Sequence, residues 1–353
     1  MHSPRVALVS GFWGQNIGNA FFNIGGKWIL EQVFGEGEVA FIQDNPGYRT
    51  FHNQAKGPPG NDDLYIERLD VDYLVLQGPL LTQSFQALWG KTLSKLKARG
   101  VKILLVGSAF FKFRQAELDS VKGFLAELRP ELITTRDART YSILKDWGLE
   151  VPLYNGIDSA FYVPKAYQPF KLINGVGYVA FNFDRYPEPT IEFGRAKGDK
   201  SFEFNGEVWS LKTPRLVSWL AHRSKVQAYL GHVLDRRKLP DRLLGYDVIR
   251  PEHRFNPHMT YKIYQHAGAV SSDEPWSFFN YYANSALTLS DRVHACVATL
   301  AYGGSAMLFT PSPRAALLER VGAHGIKEEP VSLCMDQLES ERRDQLTWIK
   351  SVL

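Results

Sequence analysis

The sequence predicts an α/β fold in which two Rossmann-like domains face a central cleft. Three observations predict it: short apolar runs alternate with stretches of helical spacing, turn residues follow the runs, and the alternation occurs in both halves of the chain. Continuous apolar runs are typical of parallel strands buried on both faces, and their alternation with helices is typical of doubly wound sheets. At 353 residues, 44% of them hydrophobic, the chain is long enough for two cores.

In the first half, each apolar run leads into a turn and then into a helix. The predicted strands are 6–9, 73–76, 101–106 and 132–135. The predicted helices are 20–34, 84–99, 117–128 and one that ends at 147, where Gly148 can terminate it. The stretch 152–174 is rich in Pro, Tyr and Lys, and we place the domain crossover there. The predicted domains are therefore 1–165 and 166–353.

The second half repeats the alternation. The predicted strands are 177–183, 246–249, 286–289 and 306–309. The predicted helices are one or two within 210–238, then 260–267, 277–284, 293–301, one from 314, and a last one at 338–352. That last helix can pack on either domain, including back on the first. Residues 188–208 are polar without clear periodicity, which predicts a loop insertion or lid.

Charge and cysteine content narrow the functional classes. The net charge of +4 permits an anionic small molecule and does not resemble the clustered basic surface of a nucleic-acid-binding protein. Cys296 and Cys334 belong to no metal-binding or disulfide pattern, so we expect neither a zinc site nor a disulfide framework. No signal-peptide pattern is present, and no apolar run approaches ~18 residues. We expect a cytoplasmic protein without a transmembrane segment, for which association with a membrane surface stays open.

The loop after the first predicted strand is rich in glycine and asparagine. Its glycines at 11, 14 and 18 do not have the dinucleotide-binding spacing, and the chain has no phosphate-binding loop of the GxxxxGK[ST] type. Glycines let a backbone approach a ligand, and the helix start that follows favours an anion. Asn16, Gly18 and Asn19 are therefore cleft candidates, with a tight turn without ligand as the alternative. Gly78, which follows the strand 73–76, is a further candidate.

The segment Ser290-Asp291-Arg292-Val293-His294 lies where a predicted strand meets a helix. Arginine offers a rigid pair of donors to a carboxylate or phosphate, and histidine can exchange a proton near neutral pH. The helix start adds its own attraction for an anion. The alternative is an N-cap Asp or Ser with an exposed arginine and a packed histidine.

Three more candidates have structural alternatives. Arg136 ends a predicted strand and can bind a ligand, or it can pair with Asp137 while Asp137 caps the next helix. Asp158, in Gly156-Ile-Asp-Ser159, is equally open. His253 follows the predicted strand 246–249 and can reach the cleft, although a histidine on a surface loop is the interpretation that the sequence favours.

Taken in order, these segments resemble the polysaccharide pyruvyl transferase family. The matching stretches are the loop Gly11 to Asn19, an Arg-Asp-x-x-Thr-x-x-x-Leu-x-x-x-Gly segment at 136–148, Asp-Ser-Ala-Phe at 158–161, and Asp-Arg-Val-His at 291–294. Three departures stand out. Asn19 replaces the usual Asp, Val293 replaces the usual Leu, and Gln77-Gly78-Pro79 lacks the usual glycine run.

The resemblance implies a GT-B-like arrangement and a transferase that moves a pyruvyl group from phosphoenolpyruvate to a sugar. The product is a pyruvate ketal on a polysaccharide or glycoconjugate, as in exopolysaccharide biosynthesis, and phosphate is released. Phosphoenolpyruvate is the co-substrate, the acceptor is free or lipid-linked, and no metal, cofactor or nucleic acid is implied. His294 and Arg292 are the implied catalytic residues, and both bind the donor with Arg136 and Asp291. The implied cleft and acceptor residues are Asn16, Gly18, Asn19, Gly78, Asp158 and His253.

Two other functions remain open from the sequence. A GT-B-type glycosyltransferase would use the same arginines for a nucleotide-sugar diphosphate, with Glu274 or Glu319 available for the ribose. A catalytically silent sugar-binding relative is the other possibility, and the replacement at Asn19 motivates it.

Overall fold

In this computed structural model the described residues are 3–11, 13–43, 65–171, 177–196, 198–254 and 263–353. They form two six-stranded sheets and one three-stranded sheet. The strands are β1 (Val6–Ser10), β2 (Val39–Gln43), β3 (Tyr73–Gln77), β4 (Lys102–Ser108), β5 (Leu132–Thr135), β6 (Leu153–Asn155), β7 (Tyr178–Asn182), β8 (Thr190–Phe193), β9 (Lys200–Phe204), β10 (Glu207–Lys212), β11 (Arg242–Leu243), β12 (Tyr246–Pro251), β13 (Ala269–Val270), β14 (Ser285–Ser290) and β15 (Ala306–Leu308).

The α-helices join these strands and cover the two large sheets. Within the described residues they are α1 (Gly18–Phe34), α2 (Phe85–Ala98), α3 (Gln115–Leu128), α4 (Ala138–Asp146), α5 (Val163–Ala166), α6 (Arg215–Arg223), α7 (Lys225–Leu234), α8 (Pro275–Ala283), α9 (Val293–Ala301), α10 (Ala316–Glu319) and α11 (Met335–Val352). None of these helices combines the length and the apolar composition that crossing a bilayer requires.

The first sheet is parallel throughout, in the order β2-β1-β3-β4-β5-β6. Its central strands are the four predicted from apolar runs, because strands buried on both faces have to be apolar along their length. The two edge strands, β2 and β6, were not predicted. β2 is only partly buried, and β6 is three residues long, so neither carries a clear run.

The second sheet has the order β11-β12-β7-β14-β15, with β13 pairing to β12. Its central pairs, β12 with β7 and β7 with β14, are parallel, as is β14 with β15. The carboxyl ends of these strands lead into Glu252, Asp291 and Thr310, and those of the first sheet into Gly11 and Arg136. Open parallel sheets bind their ligands at this edge.

The prediction of a loop or lid at 188–208 is wrong. Strands β8, β10 and β9 form an antiparallel sheet there, and the Trp209 side chain is fully buried between the rings of Phe193 and Phe202. Asn205 and Gly206 form the turn between β9 and β10, both with positive φ, of 52° and 79°. Asn-Gly is the favoured pair for a tight hairpin, so the sequence held a signal that the missing periodicity obscured.

Three predicted helical regions also need correction. Within 210–238 there are two helices, α6 and α7, but residues 210–212 belong to β10. Of the predicted helix 260–267, residues 260–262 lie outside the described residues, and the remainder forms only a 3-10 turn at Ile263–Gln265. The predicted helix from 314 is a 3-10 turn followed by the single turn α10.

The last helix, α11, packs back on the end of the first half. The Gln345 side chain accepts a hydrogen bond from the Ile157 amide at 2.7 Å, and the Arg342 guanidinium donates to the Phe161 carbonyl at 2.6 and 2.9 Å. The Tyr162 hydroxyl donates to the Arg342 carbonyl at 2.9 Å. One apolar core, which includes residues of α1, α8, α9 and α11, continues through this junction. The predicted domain boundary at 165 falls within α5 and stays a prediction.

Candidate functional site

Side chains from both halves line one cavity at the carboxyl ends of the two parallel sheets. The first half contributes Asn16, Gly18, Asn19, Phe22, Pro79 and Arg136. The second half contributes His253, Asp291, Arg292, Val293, His294, Thr310, Ser312, Arg314 and Leu317. Eight of the predicted site residues therefore meet in one place, although they span most of the chain. The cavity measures about 60 Å³.

Gly18 allows the two halves to approach at the start of α1. A Cβ atom at this position would lie 3.3 Å from both the Nδ1 atom of His253 and the Cβ atom of His294, and 3.4 Å from the Oδ1 atom of Asn16. The Asn16 side-chain amide donates to Asn19 Oδ1 at 3.1 Å, and the Ile17 amide donates to the His253 carbonyl at 3.1 Å. The glycine and asparagine loop thus shapes the cavity wall and ties it to the second half.

Gly78 does not line the cavity, although the sequence proposed it for the cleft. Its φ is +85°, and a Cβ atom would lie 3.2 Å from the Phe22 ring. The Phe22 ring lies in the cavity wall, with its centroid 5.4 Å from that of His294. Gly78 therefore packs against Phe22, which lines the cavity, and its neighbour Pro79 lines the cavity itself.

Arg136 pairs with Asp158 inside the protein. Both side chains are buried, and Arg136 Nη1 lies 2.8 Å from Asp158 Oδ2. The expected alternative, a pair between Arg136 and Asp137, is wrong: Asp137 caps α4 by accepting from the Thr140 amide at 2.7 Å and the Thr140 hydroxyl at 2.8 Å. Asp137 therefore caps the helix, whereas the adjacent Arg136 lines the cavity.

His294 lies against the same carboxylate. Its Nε2 atom is 3.7 Å from Asp158 Oδ2, while Asp158 Oδ1 accepts from the Ala160 amide at 2.9 Å. Burial by itself raises the pKa of the Asp158 carboxyl, but the His294 and Arg136 side chains and this amide together hold it well below its usual range. Asp158 is therefore an anion at neutral pH, and it lies beside the His294 ring.

Arg292 and Asp291 occupy different environments although they are adjacent. The Asp291 carboxylate accepts from the amides of Arg185 and Tyr186, each at 2.8 Å, so it orders the loop after β7. The Arg292 guanidinium pairs with Asp184 on that loop, and Arg292 itself is the N-cap residue of α9. The alternative of an Asp or Ser N-cap with an exposed arginine is therefore wrong, since the Arg292 side chain is only 17% exposed.

Two arginines that the sequence analysis missed add charge to this place. The charge of Arg292 and burial lower the pKa of Arg254 to about 10. Burial and the charges of Arg136, Arg292 and Arg254 lower the pKa of Arg314 to about 10. Like charges shift each other in this way only when they converge, so the site is electrostatically prepared for an anion. Both residues follow strands of the second sheet, and that position is the signal that could have found them.

His253 is buried, so the surface-loop interpretation is wrong. Its Nε2 atom lies 2.6 Å from the Tyr282 hydroxyl, and Phe21 and Phe278 pack their ring edges against it. Burial lowers the pKa of His253 to about 3, so the ring is neutral at physiological pH. Its place in the cavity wall agrees with the cleft position that the sequence left open.

A buried acid lies behind Arg292. Burial, together with the neighbouring Asp184 and Asp291 carboxylates, raises the pKa of Glu252 well above its usual value. Its oxygens make no hydrogen bond of standard geometry among the described residues, yet Glu252 is close enough to Asp184 for each to perturb the other. The raised pKa favours the neutral form of Glu252, whereas the Arg292 charge, acting against burial, lowers the pKa of Asp184. The sequence analysis did not single out either residue.

The small cavity continues into a larger one of about 460 Å³. Both share Asp291, Arg292, Thr310, Ser312 and Arg314. The larger cavity adds walls from Phe111, Lys112, Arg114, Arg185 and Tyr186. Among the described residues no group of three or more His, Cys, Asp or Glu side chains is placed to hold a metal ion.

The two glutamates considered for a nucleotide ribose lie elsewhere. Glu274 caps α8, accepting from the amides of Trp276 and Ser277 at 2.9 and 3.1 Å and from the Ser277 hydroxyl at 2.6 Å. Glu319 is exposed on α10 and belongs to neither cavity wall.

Two solved structures share the architecture. MnaA from S. aureus, in a co-structure with UDP, superposes with a TM-score of 0.53 at 10% identity, covering 99% of this chain and 90% of that one. A proposed UDP-N-acetylglucosamine 2-epimerase from Listeria monocytogenes gives 0.52 at 11% identity, covering 100% and 90%. These likenesses show the fold, and the predicted α/β class with a GT-B-like arrangement is confirmed.

The sequence comparisons concern the family. No curated protein matches this chain. The family model for polysaccharide pyruvyl transferases matches residues 16–313, which is well over half of the chain and includes every motif from Asn16 to His294. The chain belongs to the polysaccharide pyruvyl transferase family.

Proposed function

We propose that this protein transfers a pyruvyl group from phosphoenolpyruvate to two hydroxyls of a sugar, forming a cyclic ketal and releasing phosphate. The observation that carries the proposal is the convergence of Arg136, Arg292 and Arg314 on one cavity, with the charge of Arg254 acting on Arg314 from nearby. Phosphoenolpyruvate is a small molecule with a carboxylate and a phosphate. Its charges would relieve the repulsion that lowers the pKa of Arg254 and Arg314. The proposal requires no metal or further cofactor.

The arginines would hold the donor in different ways. Arg292 is oriented by Asp184, and Arg136 is oriented by Asp158. Two guanidinium groups on opposite walls that are already oriented can bind the carboxylate and the phosphate of the donor without moving. Electrostatic stabilisation contributes most to a reaction when the charged groups need no rearrangement. Glu252 lies behind this layer, so we assign it the role of keeping Asp184 ionised and Arg292 in place.

The chemistry requires one proton gained and two lost. The methylene carbon of the donor takes a proton and becomes a methyl group, and a sugar hydroxyl loses its proton as its oxygen bonds to the adjacent carbon. The bond from that carbon to the phosphate oxygen then breaks, and the second hydroxyl bonds to the same carbon as it loses its proton. Of the two hydroxyl protons, one replaces the proton given to the methylene carbon and the other leaves on the phosphate. His294 is the residue that we propose to transfer protons, since it lines the cavity and its Nε2 atom lies 3.7 Å from the Asp158 carboxylate.

The sugar would enter through the larger cavity. This cavity meets the donor residues at Arg292 and Arg314 and has the aromatic side chains Phe111 and Tyr186 in its wall. Asn19, where the family usually has Asp, faces the smaller cavity with its side-chain oxygen engaged by Asn16. The acceptor in this proposal is a sugar of a polysaccharide or glycoconjugate, and the reaction takes place in the cytoplasm.

Donor binding tests the proposal without knowledge of the acceptor. Thermal unfolding and calorimetry would compare phosphoenolpyruvate with UDP and with UDP-sugars on wild type and on Arg292→Ala. At ~100 times its dissociation constant, phosphoenolpyruvate should stabilise the wild type by about 2.7 kcal/mol. We expect Arg292→Ala to weaken its binding about 10- to 100-fold, because a charge-assisted hydrogen bond is lost.

Arg242→Ala is the matched control, since Arg242 forms an exposed ion pair with Asp247 away from both cavities. It should bind phosphoenolpyruvate as the wild type does. Stabilisation by UDP-sugars alone would reject the proposal and favour a glycosyltransferase, whose GT-B fold this chain shares. Binding of phosphoenolpyruvate without turnover on any acceptor would instead identify a silent relative.

A further inference from the structure

Helices α6 and α7 form a hairpin on the surface of the second half, and we call residues 215–238 the helical hairpin. Its inner side packs through Val217, Ala221 and Ala228, which are buried. Gly231 lets the two helices approach closely, because a Cβ atom there would lie 3.2 Å from a methyl group of Val217. The hairpin is thus anchored to the protein by small apolar residues on one side.

The outer side of the helical hairpin exposes large apolar side chains. They are Leu216, Trp219, Val226, Leu230, Val233 and Leu234, each between 40% and 69% exposed. Single exposed apolar residues are normal on a protein surface, but a contiguous group marks an interaction site. These six lie within two short helices and have no role in the core.

The same segment carries most of the excess positive charge. Residues 215–238 contain six Lys or Arg and one Asp, a net charge of +5, whereas the whole chain has +4. The small overall charge therefore conceals a local concentration that the sequence analysis did not recognise. The Arg223 guanidinium lies 3.9 Å from the centroid of the exposed Trp219 ring, so charge and apolar surface are interleaved.

We propose that the helical hairpin docks this protein on the surface of an anionic phospholipid bilayer. Amphipathic helices with Trp and Leu on one side and Lys or Arg around them lie in the interfacial plane of membranes. Negative lipid headgroups attract each basic residue, and the apolar side chains enter the boundary with the acyl region. A second copy of the chain fits this surface poorly, because a symmetric contact would bring two surfaces of net positive charge together.

The position of the hairpin gives this docking a consequence for the site. The Arg185 guanidinium donates to the Ala221 carbonyl of α6 at 3.4 Å, and the Tyr186 ring lies 4.5 Å from that of His222. Arg185 and Tyr186 also line the larger cavity. A docked hairpin would therefore hold the rim of that cavity next to the bilayer. The membrane surface itself is inferred from the hairpin and does not depend on the proposed reaction.

Vesicle co-sedimentation of the full chain tests the inference. Vesicles of phosphatidylcholine alone would be compared with vesicles that contain roughly one third phosphatidylglycerol, at low salt. We expect binding to the anionic vesicles only. The triple variant R223S/R236S/K238S should bind about a hundredfold more weakly, given the contribution of each basic residue near a charged membrane. The variant L216S/V226S/L230S should lose at least about tenfold, because it removes the inserted apolar groups.

Two matched variants test whether losing charge or apolar surface outside the hairpin has the same effect on vesicle binding. K122S/R343S/K350S removes three exposed charges elsewhere, and F170S removes an exposed aromatic ring outside the hairpin. Both should bind vesicles as the wild type does, and circular dichroism and thermal unfolding should show that every variant is folded. Equal binding to neutral and anionic vesicles, no binding, or unchanged binding by the hairpin variants would overturn the inference. So would a wild-type dimer that the hairpin variants convert to monomer without any effect on vesicles.

Discussion

The two halves of the molecule have similar sheets but bring different chemistry to the cleft between them. The first half presents small or neutral groups, such as Gly18 and Asn19, and an arginine already neutralised by Asp158. The second half presents Arg292 and Arg314, and burial together with the charges of Arg136, Arg292 and Arg254 lowers the pKa of Arg314. The comparison indicates that an anion would meet arginines from both halves, two of them from the second half, while the loop of the first half shapes the space around it.

Each half also contains one fully buried ion pair, and these two pairs make the comparison testable. Arg136 and Asp158 form the pair at the cavity wall. Arg250 and Glu188 form the other, with two contacts of 2.9 Å, and neither residue lines the smaller or the larger cavity of the site. A buried ion pair resists the loss of one partner because the remaining charge cannot be solvated.

The largest effect should follow from Asp158→Asn. The variant leaves the Arg136 guanidinium buried without its counter-charge, so we expect a loss of about 3–5 kcal/mol in the free energy of unfolding, measured by urea denaturation at neutral pH. Phosphoenolpyruvate should recover part of this loss, since it supplies an anion to the same guanidinium.

Glu188→Gln is the control for that prediction. It should also lower the free energy of unfolding, because Arg250 keeps only the more distant Asp241 carboxylate at 3.7 Å, but phosphoenolpyruvate should stabilise it no more than it stabilises the wild type. Equal stabilisation of the two variants by phosphoenolpyruvate would show that the cavity-wall pair has no special relation to the anion.

An intermediate effect is expected from pH, through His253. Its pKa falls from 6.5 in the unfolded chain to about 3 in the fold, so its contribution to stability is fully present above pH 6.5 and is lost as the pH falls toward 3. Between pH 7 and 5 this amounts to roughly 2 kcal/mol.

Urea denaturation at both pH values would measure this loss. His253→Gln cannot be protonated, so it should lose about 2 kcal/mol less than the wild type between pH 7 and 5. His324→Gln, at an exposed histidine, should follow the wild type. If the three proteins lose stability in parallel, His253 does not remain neutral in the fold.

The smallest effect should come from Gly18→Ala, which tests whether the first half shapes the anion site. The added methyl group would lie 3.3 Å from His253 and His294, so these neighbours must shift by a few tenths of an ångström. We expect phosphoenolpyruvate to bind several-fold more weakly in calorimetry, for a strain of about 1 kcal/mol.

Gly123→Ala is the matched substitution, because a Cβ atom on this residue of α3 meets nothing within 4 Å. It should leave binding unchanged and raise stability slightly, since alanine favours a helix. Unchanged binding in Gly18→Ala would mean that the ligand does not depend on the fit between α1 and the second half.

The sequence by itself determined the central strands and most long helices, because apolar runs and helical spacing are local properties. It also indicated most of the site, since residues at the carboxyl ends of parallel strands meet at one edge wherever they occur in the chain. Arg136, Arg292 and His294 were recognised on that basis. The antiparallel strands β8 to β10 were missed because their polar outer residues masked the alternation, although Asn205-Gly206 marked the turn.

Only the tertiary structure decided which charges face each other. Arg136 pairs with Asp158, 22 residues away in the chain, and not with its neighbour Asp137. Arg292 pairs with Asp184, which is 108 residues away in the chain. The same holds for the buried state of His253 and Glu252, which depends on rings and carboxylates supplied by other elements. Electrostatic interactions and desolvation depend on distance in space, and distances between residues far apart in the chain exist only once the sheets have packed.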